Sequence, residues 1–236
     1  EYLTAPLLSA PGGASCSGDV GVGTASAQKE IANARAMVGL PPLDCDAAAS
    51  RAVKAHCGYV GRVGALVHEE DSNIQGFTGK SFLDRLAKQS FTLEGSGEVL
   101  ASIVGGGAIS DPRGLLNSVY HRPFFLRAEN VAFGYGDEGA CSGVVLGRKK
   151  ATPIQAAAVI WPPNGATGVP VAFHAARESP NPMPGAAPIV GSPISWIGTE
   201  VLTQEQASLT SPSGAVATRL ITHDNDPTNM VRPGEV

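Results

Sequence analysis

Small apolar residues recur at helical spacing in two stretches near the start of the chain. In residues 24–38, TASAQKEIANARAMV, one side carries Ala27, Ile31, Ala34 and Val38. Residues 46–60, DAAASRAVKAHCGYV, repeat this spacing with alanine and valine. Because a period of three to four residues is typical of an amphipathic helix, both stretches are predicted to be helices, with Ser26 as a candidate cap of the first. Gly39 and the following proline pair separate them.

Shorter patterns predict the other elements of the first 150 residues. A short helix capped by Ser81 is predicted over residues 81–88, and another, begun by Asp-Pro, over residues 112–120. Within residues 131–147, VAFGYG and SGVVLG flank an acidic turn. Their apolar and β-branched content predicts two strands.

The pattern changes after about residue 150, where proline and glycine punctuate short apolar runs such as AAAVIW, VPVAF and PISWIG. This composition predicts a separate all-β, immunoglobulin-like sandwich over residues 153–236. With four or five strand candidates, against about seven in such a sandwich, the domain is expected to be incomplete. Residues 1–19, rich in Gly, Pro and Ser, are predicted to form an extended arm before a first domain over residues 20–150.

Length and charge narrow the classes of partner. The chain has 236 residues, a net charge of -4 and no dense Lys/Arg cluster. It therefore lacks the basic surface by which proteins bind nucleic acids and anionic membranes. No apolar run approaches the roughly 18 residues that a membrane span requires. The first residue is Glu1 rather than Met, which is compatible with removal of a leader.

Four scattered cysteines, Cys16, Cys45, Cys57 and Cys141, have neither zinc-ribbon nor C-x-x-C redox spacing. They favour two structural disulfides in an oxidising compartment over buried thiols in a cytosolic protein. Cys45 and Cys57 would lie about 18 Å apart along the second helix, too far to be joined. If the first two helices run antiparallel, Cys16 lies near Cys57, which favours the pairs Cys16–Cys57 and Cys45–Cys141.

One histidine stands beside two carboxylates in LVHEE, residues 66–70. Imidazole and carboxylate groups together can bind a borderline cation or act as a base with its orienting partner. His68 and Glu70 share a face only on a strand, and the zinc-protease pattern H-E-x-x-H is absent. Local spacing therefore favours a charged surface turn. Glu98 follows a Gly-Ser-Gly turn, and its local interpretation is a carboxylate at a helix start.

Other polar residues also have structural interpretations. Ser118 and His121 are close enough for contact at a helix end, where a C-terminal cap is commoner than a nucleophile. No G-x-S-x-G elbow supports a serine hydrolase. His56, on an alanine and valine face, is interpreted as a core histidine, and Arg122 as a helix cap. His174 and His223 need only strand and turn roles.

Taken in order, several motifs resemble a bacterial CAP domain, the family of cysteine-rich secretory proteins, antigen 5 and plant pathogenesis-related proteins. The resemblance covers roughly residues 20–150. Its motifs are Arg35-x-x-x-Gly39-Leu-Pro-Pro-Leu43, KAHCGYV, His68, FTGKSFLDR, Gly97-Glu98, LLNSVYHR and VAFGYG. Each is weak alone, so the resemblance depends on their order.

The resemblance implies an α+β protein with an α-β-α sandwich. It implies that the protein is secreted, periplasmic or associated with the cell envelope. It also implies a cleft in which His68, Glu98 and His121 match the histidines and glutamate of the family motifs. Ser118 and Glu70 complete the predicted cleft.

Two departures from the family pattern concern this cleft. Val99 replaces the usual Asn after the glutamate, and Leu115 replaces the usual Trp before S-x-x-H. The fourth cleft position stays open between Glu69, Glu70 and Glu129.

The segment WPPNGATGVPVAFHAARESPNPMP resembles the immunoglobulin-like extension of some bacterial CAP proteins.

The resemblance to CAP proteins leads to two functional hypotheses. The first is a non-enzymatic module that binds a small apolar molecule or lipid, a peptide or an envelope component. The alternative is a zinc-dependent hydrolase in which His68 and His121 ligate Zn²⁺ and Glu98 positions water.

Overall fold

A four-stranded sheet organises the first part of the chain in the computed structural model, which describes Cys16 and residues 23–102, 114–149, 158–203 and 205–236. The strand order is β1-β3-β4-β2, with β1 parallel to β3 and the other pairs antiparallel. The elements of this part are α1 (Thr24–Met37), β1 (Asp44–Cys45), α2 (Ala47–Val63), α3 (Phe82–Lys88), β2 (Glu94–Ala101), a 3-10 turn (Leu115–Asn117), α4 (Arg122–Leu126), β3 (Ala132–Glu138) and β4 (Cys141–Arg148).

Helices cover both faces of the sheet. On one face, the alanine and valine side of α2 packs with Leu86 of α3 against Ala132 and Val145. On the other face, α1 and α4 pack against Phe133, Val144 and their neighbours. Alternate residues of each strand therefore enter different cores, as the two-residue period of a strand requires. The predicted α+β class is confirmed, and the helices and sheet have the layers of an α-β-α sandwich.

The glycines of VAFGYG explain how closely α2 approaches the sheet. A Cβ atom at Gly134 would overlap Ala49, and one at Gly136 would overlap the backbone of Lys54. Since neither glycine has a side chain, α2 lies directly on β3, and only glycine permits that contact.

Most of the predicted helices are confirmed. Helix α2 is capped by Asp46, which accepts hydrogen bonds from two backbone amides, and α3 is capped by Ser81 in a reciprocal capping box with Asp84. The predicted cap of α1 is wrong, because Gly23 occupies the cap position and the Ser26 hydroxyl donates instead to Glu30.

The helix predicted over residues 112–120 can be compared with the structure from residue 114 onward, because residues 112 and 113 lie outside the described ranges. In this described part the prediction is wrong. The chain makes only a 3-10 turn at Leu115–Asn117 and is extended at Ser118. A new helix, α4, starts at Arg122, with Pro123 in its first turn. Proline favours a helix start because its fixed φ suits the first turn, where its missing N–H costs nothing.

The disulfide pairing predicted from the sequence is wrong. Cys16 bonds to Cys45, with their Cα atoms 5.0 Å apart, and Cys57 bonds to Cys141, with their Cα atoms 5.2 Å apart. The prediction assumed that the end of α2 lies beside the start of α1. Because α2 packs along the sheet instead, Cys57 meets the first residue of β4, and Cys45 in β1 is left for Cys16.

The region after residue 158 forms small strand pairs. Its elements are β5 (Ala158–Trp161), β6 (Ala172–Phe173), a 3-10 turn (Ala175–Arg177), β7 (Val190–Gly191), β8 (Ser195–Gly198), β9 (Leu209–Ser211) and β10 (Gly214–Val216). In the described residues they pair as β5-β8, β6-β7 and β9-β10, so the predicted immunoglobulin-like sandwich is not confirmed. The domain limits near residue 150 stay a prediction.

This C-terminal region contributes to the main core. Val159, Trp161 and Ile197 lie in the same buried cluster as α1, α4 and the sheet. The extended arm predicted over residues 1–19 lies outside the described ranges except for Cys16. Among the described helices, none is long and apolar enough to cross a membrane.

Candidate functional site

His68 lies in the loop that follows α2, where Gly64 ends the helix with a φ of 74°. Its Nδ1 atom is 3.1 Å from Oε2 of Glu98, and its side chain is 57% exposed. Because a carboxylate can only accept, Nδ1 carries the proton of this hydrogen bond. The structure thus brings together His68 and Glu98, and the remaining ring nitrogen, Nε2, is not bonded to any described residue.

Glu98 lies in the middle of β2, so its interpretation as a residue at a helix start is wrong. Nη2 of Arg85 donates to both of its carboxylate oxygens, at 2.7 and 2.8 Å. Burial alone would raise the pKa of Glu98, but the hydrogen bond from His68 and the charge of Arg85 hold that pKa below its ordinary value. Glu98 is thus an anion that orients His68.

The guanidinium of Arg85 also fixes the loop that carries His68. Its two terminal nitrogens donate to the backbone oxygen of His68 at 3.2 and 3.1 Å. Arg85 is itself 2% exposed and is supplied by α3, whose start is defined by the Ser81 cap. The local signals for α3 in FTGKSFLDR therefore position one wall of the site.

Glu70, a predicted cleft residue, is buried beneath the loop and does not line the cleft. It accepts hydrogen bonds from the backbone and hydroxyl of Thr78 and from Nδ1 of His56 at 2.8 Å. Burial alone would raise the pKa of Glu70, but these hydrogen bonds lower it. His56, fully buried, also contacts the oxygen of Val67 through Nε2 at 2.8 Å, so its interpretation as a core histidine is confirmed.

His121 precedes α4 and contacts two residues through one nitrogen. Its Nδ1 is 3.1 Å from the Ser118 hydroxyl and 3.0 Å from Oε1 of Glu178. Since Ser118 donates its own proton to the oxygen of Leu115 at 2.8 Å, both partners of Nδ1 act as acceptors. Nδ1 therefore carries the proton, and Nε2 is left for the cleft.

Glu178 is a site residue that no sequence motif indicated. It lies after β6 in the region predicted to be a separate domain, and it also accepts from the backbone amides of Val119 and Tyr120 at 2.9 and 2.7 Å. Of the three candidates for the fourth acidic position, Glu69 is exposed, Glu70 is buried elsewhere and Glu129 pairs with Arg232 at 3.4 Å. The acid beside His121 is therefore Glu178.

Arg122, expected to cap a helix end, instead joins the C-terminal region to the site. It donates to the oxygen of Leu116 at 2.8 Å, to the oxygen of Pro193 at 3.0 Å and to the hydroxyl of Ser195 at 2.8 Å. Burial lowers the pKa of Arg122 to about 10. These contacts hold the turn that precedes α4.

One cleft of about 240 Å³ brings these elements together. His68 and His121 both line it, with Ser118 beside them. Glu98 lies behind His68 and outside the lining. The cleft walls also include Leu115, which replaces the usual Trp of the family pattern. Other residues of the walls are outside the predicted site, namely Leu66, Leu100, Ala101, Ala172, Phe173, His174 and Arg177.

The described residues do not fit the expected zinc site. His68 and His121 each donate to a carboxylate through Nδ1, as metal-ligating histidines often do. However, no group of three or more His, Cys, Asp or Glu in the described ranges is placed to hold a metal ion. A catalytic zinc usually has three protein ligands, and Glu98 is already bonded to Arg85 and His68.

No protein-family model matches the chain, and no curated protein matches it. Solved structures do resemble it, including the following two. An extracellular protein containing an SCP domain from Bacillus anthracis is 19% identical, with a TM-score of 0.44, over 53% of this chain and 41% of that protein. An outer surface protein from Borrelia burgdorferi is 20% identical, with a TM-score of 0.43, over 52% of this chain and 90% of that protein.

Proposed function

We propose that this chain is a secreted or cell-envelope protein of CAP type whose cleft binds a small ligand without changing it chemically. The observation that carries the proposal is the pairing of two of the histidines that line the cleft, His68 and His121, with buried glutamates. His68 donates to Glu98 and His121 to Glu178, so both rings have a fixed orientation. A site with few oriented polar groups among apolar walls is typical of small-molecule recognition.

The cysteines support the location. All four form disulfides, which persist in oxidising compartments and are rare in the cytosol. The order of the sequence motifs supports the CAP assignment, and so does the presence of His68 and His121 in one cleft, with Glu98 bonded to His68 behind it. The location and the family assignment are parts of the same proposal.

The contacts of His121 argue against a serine hydrolase. In a catalytic triad the nucleophile contacts one imidazole nitrogen and the acid contacts the other. Here Ser118 and Glu178 contact the same nitrogen, Nδ1, and the Ser118 hydroxyl donates to Leu115. Nδ1 already carries a proton, so it cannot take one from Ser118. Binding is therefore the function that this arrangement supports best.

A panel of small acids, amides, short peptides and envelope lipids tests the proposal by nuclear magnetic resonance titration. Ligands of the cleft should give saturable shifts of the His68 and His121 ring signals. The double variant His68→Asn, His121→Asn keeps a donor near each Nδ1 position but removes both Nε2 atoms, and it should abolish binding. His223→Asn is the matched control, because His223 is exposed and does not line the cleft. Failure of every compound to saturate, or unchanged binding by the double variant, refutes the proposal.

A further inference from the structure

We infer that the cleft binds the free carboxyl terminus of a short peptide that ends in an apolar residue. The inference rests on the binding role proposed above and names the ligand class. Three features of the lining carry it: the fixed charges, the hydrogen-bonding state of the histidines and the apolar walls. Each feature excludes a different class of ligand.

The fixed charge open to the cleft is positive. Arg177 lines the cleft and is exposed, and no carboxylate in the described ranges pairs with it. Among the described residues of the lining, Glu178 is the acid, and it already accepts two backbone amides and His121. An anionic group on the ligand therefore meets a guanidinium that has no carboxylate partner among the described residues, and the planar donors of that guanidinium match a carboxylate in two parallel hydrogen bonds.

His68 and His121 favour a ligand that also carries a hydrogen-bond donor. Since Nδ1 of His68 and Nδ1 of His121 each donate to a glutamate, a neutral ring presents Nε2 as an acceptor. A simple fatty acid has a carboxylate but no N–H group. A peptide terminus has both, because its last amide N–H lies close to the terminal carboxylate.

The apolar walls and the size limit what enters. Leu100, Leu115 and Phe173 line the cleft, which matches an apolar side chain beside the carboxylate. The volume of about 240 Å³ is below the roughly 300–1,000 Å³ of pockets for drug-sized ligands. The exposure of His68 shows that the cleft opens to solvent, so the last residues enter and the rest of a peptide extends outside.

The test compares N-acetyl-Ala-Leu, its C-terminal amide and hexanoate by the same titration. The peptide acid should bind roughly tenfold more tightly than the amide, which corresponds to a hydrogen bond with one charged partner. Arg177→Gln should remove most of this preference. Arg219→Gln, which changes an exposed arginine outside the cleft, should retain it.

The outcomes separate the inference from the proposed function. Equal binding of acid and amide, lost in the histidine double variant, would overturn the inference and leave the binding role intact. Hexanoate binding as tightly as the peptide acid would also overturn it, because the amide N–H would then contribute nothing. Absence of saturable binding by the whole panel would refute both.

Discussion

Oε1 of Glu178 lies 3.0 Å from Nδ1 of His121, and the two residues are 57 positions apart in the chain. The same carboxylate accepts the backbone amides of Val119 and Tyr120. A single acid from the C-terminal region thus fixes both the turn before α4 and the ring that faces the cleft. The C-terminal region is therefore a part of the candidate site.

Replacing Glu178 with Gln should destabilise the protein and release His121. An amide of the same shape places its NH₂ group against backbone N–H donors, so the expected loss is about 2–3 kcal/mol. Urea unfolding measures that loss, and the ¹⁵N signals of His121 report its orientation. Glu200→Gln, at an exposed position, should change neither. A Glu178→Gln variant of unchanged stability would contradict the hydrogen bonds assigned to Glu178.

The sequence predicts the helices and strands that depend on residues close together in the chain. Helical periodicity predicts α1 and α2, and the Ser81 cap predicts α3, because these features depend on residues a few positions apart. The adjacent strands β3 and β4 are predicted for the same reason. The resemblance to CAP domains predicts His68 and His121 as cleft residues, and both line the cleft.

The contacts that the sequence did not predict join distant segments. Glu178 is one, since nothing in HAARESP indicates a partner 57 positions earlier. The disulfides are another, because their pairing depends on how α2 packs across the sheet. Trp161 and Ile197 likewise complete the main core, although their short apolar runs are typical of a separate sandwich. Such contacts depend on tertiary packing, which spacing along the chain does not encode.

Acid should weaken the fold through Glu70 and Glu98. Their pKa values are lowered in the folded protein from an ordinary value of 4.5, so both carboxylates stabilise the fold above about that pH. This stability is lost as the pH falls through the folded-state pKa values, because protonation then favours the unfolded chain. Urea unfolding between about pH 7 and pH 3 measures the effect.

Removing one of these carboxylates tests its share of the acid sensitivity. Glu98→Gln leaves the buried charge of Arg85 without its closest partner, and we expect a loss of about 3–5 kcal/mol near neutral pH. The variant should also lose less stability on acidification than the unaltered protein. Equal losses in both proteins would show that Glu98 has the same pKa in the folded and unfolded states.

A buried ion pair should hold the last described segment to the core. Nε and Nη2 of Arg127 donate to the two carboxylate oxygens of Glu235 at 2.6 and 3.0 Å. Glu235→Gln leaves a buried guanidinium unpaired and should cost about 3–5 kcal/mol. The double variant Arg127→Met, Glu235→Leu should recover much of that loss, since no charge is left buried. A double variant no more stable than the single one would contradict this account.

Peptide mapping without reduction should distinguish the two disulfide pairings directly. Trypsin cleavage separates the four cysteines into residues 1–29, 36–51, 55–62 and 128–148. The structure predicts that the first peptide is linked to the second and the third to the fourth. Links between the first and third peptides would instead support the pairing predicted from the sequence.

The disulfide between Cys57 and Cys141 spans 84 positions of the chain, whereas the disulfide between Cys16 and Cys45 spans 29. Replacing Cys57 and Cys141 with Ala should therefore cost more stability, about 4.5 kcal/mol against about 3.5 for the shorter loop, since the longer loop restricts the unfolded chain more.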